Sequence, residues 1–287
     1  MSGTKPVSAF VTDGGAALTK AELEMELKQA IAKVLPTDYD HYREVNVLAV
    51  HWSDPKWVTL EDELMTTFRD VYGFRTSTFV IDVKRNYDVT SDLRDRVIRF
   101  VKDGDRPKAL GIIVYSGHAE TNLKAPAPQL HLGAELVSEQ LKGPFINWTR
   151  HASMTDTFKG GEVLLVMDCC FAAQAIRTNK GPELLAASGW EAQASAHVDS
   201  CLTAALNTIL KELNGQTCKV ADVYAKILHG KKHYGLTTTP VHALTLNSKA
   251  QSITLERLSG KQPTGRSVNV SNSSSHINDR VILSVHL

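Results

Sequence analysis

Short aliphatic runs alternate with amphipathic segments along most of the chain, and this alternation restricts the fold more than any other feature. It is typical of βαβ units, in which successive strands are parallel and helices cover the sheet. The most apolar runs suit strands that are buried on both faces. The predicted strands are residues 45–52, 76–83, 109–115, 163–167, 183–187 and 241–246. We therefore expect an α/β fold with a mostly parallel six-stranded sheet and helices on both faces.

Four amphipathic segments between these strands predict helices. The first has apolar residues at helical spacing from Leu60 to Tyr72, a capping-box pattern at Thr59 and Asp62, and a stop signal at Gly73. The other three helices are predicted around residues 93–101, 198–213 and 220–228. A proline-containing stretch, residues 122–129, is predicted to be a loop.

The chain divides into four predicted regions. Residues 1–44 are an arm with a helix, and residues 45–258 form the main domain. Residues 259–279 are rich in Ser, Gly and Asn, which predicts a flexible linker. Residues 280–287 hold a last strand that packs on the same domain.

Composition excludes several classes of partner. The 287 residues carry a formal net charge of +1, so bulk charge predicts neither nucleic acid nor a membrane surface as a partner. The sequence has no apolar run of the roughly 18 residues that a membrane span needs, and its start lacks the apolar core of a signal peptide. The four cysteines lack zinc-ligand spacing and are predicted to be free thiols. We expect a cytoplasmic protein with no metal site and no cofactor required for its chemistry.

Reactive side chains follow two of the predicted strands. One strand runs into Ser116, Gly117 and His118, and another runs into residues 168–170, which read Asp-Cys-Cys. Ligands of open parallel sheets bind outside the carboxyl ends of the strands, so neighbouring strands would bring these groups to one rim. An imidazole beside a thiol can take its proton, which makes acyl transfer the natural reaction. Residue chemistry alone does not choose between Cys169 and Cys170.

Each residue also has an ordinary interpretation, because a histidine after a strand is usually a turn residue and a buried cysteine is usually inert. Other enzyme classes find less support, since neither a G-x-S-x-G elbow nor a phosphate-binding glycine loop follows a strand. A redox dithiol is disfavoured because adjacent cysteines form strained disulfides.

Two motifs resemble those of caspase-like peptidases. Residues 115–118, Tyr-Ser-Gly-His, are similar to the Y-S-G-H-G motif of that class, and residues 168–170 resemble the D-x-C motif of metacaspases and paracaspases. The histidine lies 52 residues before the second cysteine, where about 50 is typical of caspases. Residues 188–195 and 201–206 resemble metacaspase segments more loosely. The resemblance implies the caspase-like fold.

The resemblance also implies residue roles. Cys170 is the implied nucleophile, His118 its base, and main-chain donors at Gly117, Ala119 and Cys170 form the implied oxyanion hole. Three departures from the family pattern are Ala119 after the histidine, Phe-Ala-Ala at residues 171–173, and Trp190 in place of a cysteine.

The implied specificity is for basic residues at P1, the substrate position before the cleaved bond. True caspases bind aspartate with arginines, whereas Asp168 would line the pocket here and pair with an Arg or Lys side chain. Asp54, Ser116 and Glu191 lie where further pocket walls are expected, although a solvated loop carboxylate is the ordinary interpretation of Asp54 and Glu191. The expected activity is a cysteine endopeptidase cutting protein substrates after Arg or Lys.

The resemblance further implies a zymogen that serves regulated proteolysis or cell death. The segment after Cys170 offers Arg177 and Lys180 as self-cleavage sites. Activation of an intact chain by a sensor protein or by calcium is the alternative, and the sequence holds no EF-hand loop. We expect a monomer, as for most metacaspases. A catalytically silent caspase-like interaction module, or a peptidase of another P1 preference, are the competing functions.

Overall fold

The computed structural model describes residues 41–83, 89–138, 140–155, 159–176, 181–194, 200–244 and 251–258. The predicted N-terminal helix, the linker at 259–279 and the last strand lie outside these residues. Among the described helices, none is long and apolar enough to cross a membrane.

The described residues form eleven strands and five α-helices. The strands are β1 Glu44–Trp52, β2 Arg75–Ile81, β3 Ala109–Ser116, β4 His118–Asn122, β5 Gln129–Val137, β6 Gln140–Asn147, β7 Glu162–Asp168, β8 Glu183–Ala186, β9 Cys218–Lys219, β10 Val241–Ala243 and β11 Thr254–Leu255. The helices are α1 Pro55–Asp70, α2 Val89–Gly104, α3 Ala152–Thr155, α4 Leu202–Leu213 and α5 Val220–His229. Short 3₁₀ helices span Trp148–Arg150 and Ala172–Ala175.

A six-stranded sheet in the order β10-β8-β7-β3-β1-β2 forms the centre of the molecule. All neighbouring strands are parallel except β10, which runs antiparallel to β8. These are the six predicted strands, and the predicted α/β architecture is confirmed. Parallel pairing of β3 and β7 requires the long crossover between them, and it brings both carboxyl ends to the same edge.

Two cores cover the two faces of the sheet. Strand β1 alternates between them, with Val47 packed in one core and Leu48 in the other. The first core contains the apolar faces of α1, α4 and α5, while the second contains that of α2 and the inner side of a small antiparallel sheet. That small sheet, β4-β5-β6, was not predicted. Its first strand reads His-Ala-Glu-Thr-Asn and lacks the apolar alternation that marks strands in sequence.

The start of α1 differs from the prediction. Asp54 is the N-cap, its carboxylate accepts a hydrogen bond from the Lys56 amide, and Pro55 opens the helix. Thr59 lies inside the helix and its hydroxyl donates to the carbonyl of Pro55, so the predicted capping box at Thr59 is wrong. The helix begins at Pro55 rather than after Thr59 because proline fixes the φ angle that a first helical residue needs.

Candidate active site

The register of β3 and β7 brings the predicted catalytic residues to one rim. Ser116 and Asp168 are Cα partners in the parallel pairing, and His118 and Cys170 each lie two residues further along. The amide of Gly117 donates to the carbonyl of Asp168 at 3.1 Å, which extends the pairing past the end of β3. This bond engages the Gly117 N–H, so that amide is not available as the predicted oxyanion donor in this state.

A strained turn presents Cys170 at the surface. Phe171, the next residue, has φ 57° and ψ 23°, a left-handed conformation that few residues other than glycine adopt. The turn leads into the 3₁₀ helix Ala172–Ala175. Cys170 is partly exposed, whereas Cys169 is buried. Of the two adjacent thiols, Cys170 is therefore the one that a substrate can approach.

Main-chain carbonyls of residues 190–194, which we call the covering segment, lie against this turn. The Cys170 thiol donates to the carbonyl of Ala194, with Sγ and O 3.8 Å apart. The amide of Phe171 donates to the carbonyl of Ala192 at 2.9 Å, and the side chain of Gln174 donates to that of Trp190 at 2.7 Å. The Cys170 thiol is thus partly covered by main-chain carbonyls.

His118 begins β4 and is held from two sides. The hydroxyl of Tyr115 donates to the His118 carbonyl at 2.8 Å. The Trp57 ring packs edge-on against the imidazole, with ring centroids 6.1 Å apart. Burial lowers the pKa of His118, and the negative charge of Asp54 partly opposes that shift. The imidazole is therefore mostly neutral at neutral pH and can accept a proton.

The thiol shows the complementary shift. Burial raises the pKa of Cys170, and the charge of Asp168 adds to that effect. Both shifts favour the neutral form, that of the imidazole and that of the thiol. A nucleophilic attack by this thiol would require that the sulfur lose its proton during the reaction, because no thiolate–imidazolium pair is formed beforehand.

Asp168 lies directly beneath this rim and caps α4. Its Oδ2 accepts a hydrogen bond from the Thr203 amide at 2.7 Å, in the first turn of the helix, where amides lack intrahelical partners. The Ser116 hydroxyl lies 3.0 Å from that of Thr203. Asp168 is only 2% exposed, and burial raises its pKa against the lowering effect of Thr203. The structure therefore brings Ser116 and Asp168 together in an enclosed polar cluster.

Glu61 of α1 belongs to the same cluster and was not predicted. It is 1% exposed, and its carboxylate lies close to Ser116, whose hydrogen-bonding groups partly lower the Glu61 pKa. Its Oε2 lies 3.8 Å from Nε2 of His51, whose Nδ1 bonds to the carbonyl of Trp52. Burial raises the pKa of Glu61 well above its usual range, and the charge of Asp168 contributes. The available sequence signal was the spacing of Glu61 in the same buried helical row as Trp57, Leu64 and Phe68.

The remaining predicted residues are dispersed. Asp54 is partly buried at the start of α1, close enough to affect the pKa of His118. Glu191 is exposed on the covering segment, and Ala119 is buried in β4. Arg177 and Lys180, the predicted self-cleavage sites, lie outside the described residues. In the described part of the chain, no group of three or more His, Cys, Asp or Glu side chains is placed to hold a metal ion.

Comparisons with known proteins define the fold. No protein-family model matches the sequence, and no curated protein matches it. A crystal structure of caspase-1 from Spodoptera frugiperda is similar, with a TM-score of 0.53 and 8% sequence identity over 77% of this chain and 93% of that chain. The chain therefore has a caspase-like fold.

Proposed function

We propose that the protein is a cysteine endopeptidase in which Cys170 is the nucleophile and His118 the base. The observation that carries this proposal is the β3–β7 register, which puts the two residues equally far past the paired Ser116 and Asp168. The partly exposed position of Cys170 and the lowered pKa of His118 support the two chemical requirements, access to a substrate and an unprotonated base.

The reaction follows from these groups. Cys170 Sγ attacks the substrate carbonyl carbon while His118 takes the thiol proton. The resulting oxyanion accepts hydrogen bonds from the amides of Cys170 and Ala119. Collapse of this intermediate breaks the peptide bond, and the leaving amine takes the proton from His118. Water then attacks the thioester with His118 as base, which releases the carboxylate and restores the thiol.

The buried acids favour a basic P1 side chain. Asp168 and Glu61 are two carboxylates in one enclosed cluster, and burial raises the pKa of both. An Arg or Lys side chain that enters this cluster supplies a positive charge, which favours the ionised form of the carboxylates and pairs with it. Ser116 adds a hydroxyl at the same place. Cleavage after Arg or Lys is the specificity we propose.

The covering segment indicates a latent state. A substrate backbone must displace the Ala194 carbonyl before the thiol can react, because both compete for the same sulfur. A peptidase that rests in this state would require a trigger, which fits a zymogen in regulated proteolysis or cell death. We propose that a sensor protein, calcium or self-cleavage at Arg177 or Lys180 provides it, and that the chain acts as a cytoplasmic monomer.

A catalytically silent interaction module is the second candidate. The observation that favours it is the burial of Cys170, which raises the pKa of the thiol and so holds it neutral. A peptidase with another P1 preference is the remaining alternative.

Hydrolysis of short fluorogenic peptides ending in Arg, Lys or Asp separates these candidates. The wild type is compared with Cys170→Ala, His118→Ala and, as the matched control, Cys169→Ala. We expect Arg and Lys peptides to be cut, with loss of activity in the first two variants only. Hydrolysis that persists in Cys170→Ala contradicts the nucleophile, preferred cutting after Asp contradicts the pocket, and no hydrolysis under any activating condition supports the silent module.

A further inference from the structure

We infer that the protein has a second ligand site, which binds a small phosphate-bearing molecule at the opposite end of the sheet from Cys170. The site is a cavity of about 300 Å³ at the amino ends of β1 and β2, closed on one side by α2. Cys170 follows the carboxyl end of β7, which runs parallel to these strands. The two sites are therefore separated by the length of the sheet.

Three arginines give the cavity its chemistry. Arg75 opens β2, Arg96 projects from α2, and Arg106 lies just before β3. Two carboxylates, Glu44 and Asp103, also line it, so the charges sum to 3 − 2 = +1. An anion that enters the cavity would balance this excess positive charge.

Glu44 holds two of the arginines at the cavity rim. One carboxylate oxygen lies 2.7 Å from Nη1 of Arg75, and the other lies 3.7 Å from Nη1 of Arg106. Each guanidinium has five N–H donors, so pairing with Glu44 leaves most of them for a ligand. Both arginines are well exposed. The ion pairs therefore orient the arginines without consuming their binding capacity.

Arg96 is the arginine whose guanidinium lacks an anionic partner among the described residues. It is half-buried on α2, one turn before the buried Phe100, and within the described residues no hydrogen bond or ion pair is found for its guanidinium. Partial burial removes water from a charge and makes an anionic partner favourable. Thr76 lines the same cavity.

The geometry favours a phosphorylated small molecule. Guanidinium groups pair with phosphate oxygens through two parallel hydrogen bonds, and several arginines around one cavity suit adjoining phosphate groups. A volume of about 300 Å³ is at the small end of ligand pockets and exceeds the needs of a single phosphate. The chemical class is therefore a compact anion with two or more phosphate charges.

Calorimetric titration with inorganic pyrophosphate, at ionic strength fixed with sodium chloride, tests this site. The Cys170→Ala protein is used, because binding here does not depend on the proposed peptidase chemistry. We expect saturable binding that weakens about tenfold or more in Arg96→Gln, since a charged hydrogen bond is lost. The matched control is Arg99→Gln, an exposed arginine of the same helix outside the cavity lining, which should bind as the parent does.

Three results would overturn the proposal. They are no saturable binding, equal weakening in the Arg96 and Arg99 variants, and citrate binding as tightly as pyrophosphate, which would make the site a general polyanion surface. Circular dichroism and thermal unfolding of both variants establish that each is folded. Arg106→Gln serves as a second variant, with the same expected loss of pyrophosphate binding.

Discussion

Ser116 and Asp168, which face each other across β3 and β7, converge on one residue, Thr203. The hydroxyl of Ser116 lies 3.0 Å from the Thr203 hydroxyl, and the carboxylate of Asp168 accepts the Thr203 amide proton at 2.7 Å. Helix α4 is therefore tied to the strand ends that carry His118 and Cys170. Changes at this junction should therefore shift the positions of His118 and Cys170.

The first prediction concerns the ionisation of Cys170. Because burial raises the pKa of this thiol, its alkylation by iodoacetamide should accelerate only above the pH at which a free cysteine reacts. The rate is measured from pH 6 to 10, with Cys170→Ala to subtract the other three thiols. A midpoint below that of free cysteine would mean that the site stores a thiolate, contrary to the neutral pair described above.

The second prediction concerns Tyr115, which we interpret as a positioning residue for His118. Tyr115→Phe removes the hydroxyl that holds the His118 carbonyl. We expect kcat to fall several-fold with little change in KM, at a stability cost of about 1 kcal/mol.

Tyr72→Phe is the control for Tyr115→Phe, since the Tyr72 hydroxyl donates to the carbonyl of Leu210 in the first core, remote from His118. It should carry a similar stability cost and keep full activity. Equal activities of the two variants would show that the Tyr115 bond is only structural.

The third prediction concerns Glu61. Because burial raises its pKa, the folded state holds a proton that the unfolded state releases above about pH 4.3. Wild-type stability should thus fall as pH rises above that value, and Glu61→Gln should remove this loss. We expect the variant to be more stable at pH 7 by about 1 kcal/mol or more, with a smaller difference near pH 4.

Selectivity separates the chemical role of Glu61 from its effect on stability. Glu61→Gln should reduce the preference for Arg over neutral P1 residues, whereas Glu63→Gln, an exposed position on the same helix, should not. Urea unfolding at several pH values and competing peptide substrates provide the two measurements. A Glu61 variant that is less stable at pH 7 would contradict the assigned direction of the pKa shift.

The fourth prediction concerns the left-handed turn at Phe171. Asn tolerates this backbone conformation and a β-branched residue does not. Phe171→Asn should therefore retain peptidase activity better than Phe171→Val, with the valine variant destabilised by a further 1 kcal/mol or so. Hydrolysis rates and thermal midpoints provide the comparison. Equal behaviour of the two variants would mean that the turn relaxes without affecting the nucleophile.

The central sheet could be predicted from sequence because buried parallel strands are continuous apolar runs, as in residues 163–167. The strand at the edge of the site, β4, could not be predicted in this way. The β4 strand is built from polar residues whose pairing depends on partners elsewhere in the chain, and only tertiary contact makes it a strand. The engagement of the Gly117 amide likewise depends on the register with β7, which no local pattern encodes.

Glu61 shows a different limit of sequence interpretation. The predicted apolar row shares Leu64 and Phe68 with the buried row of the structure but includes Leu60 where the buried residue is Glu61. Leu60 is only partly buried in the structure, while the acidic neighbour is enclosed. Hydrophobicity is a weak guide at a functional site, where a charged residue can occupy a core position because a ligand completes its environment.

The contacts of the covering segment have an evolutionary consequence. Ala194, Ala192 and Trp190 all engage the Cys170 turn through main-chain carbonyls, which every amino acid possesses. Point substitutions in this segment can therefore accumulate while the three contacts persist. A single-residue insertion or deletion would instead shift all three carbonyls out of place, so natural variation here should preserve segment length more strictly than residue identity.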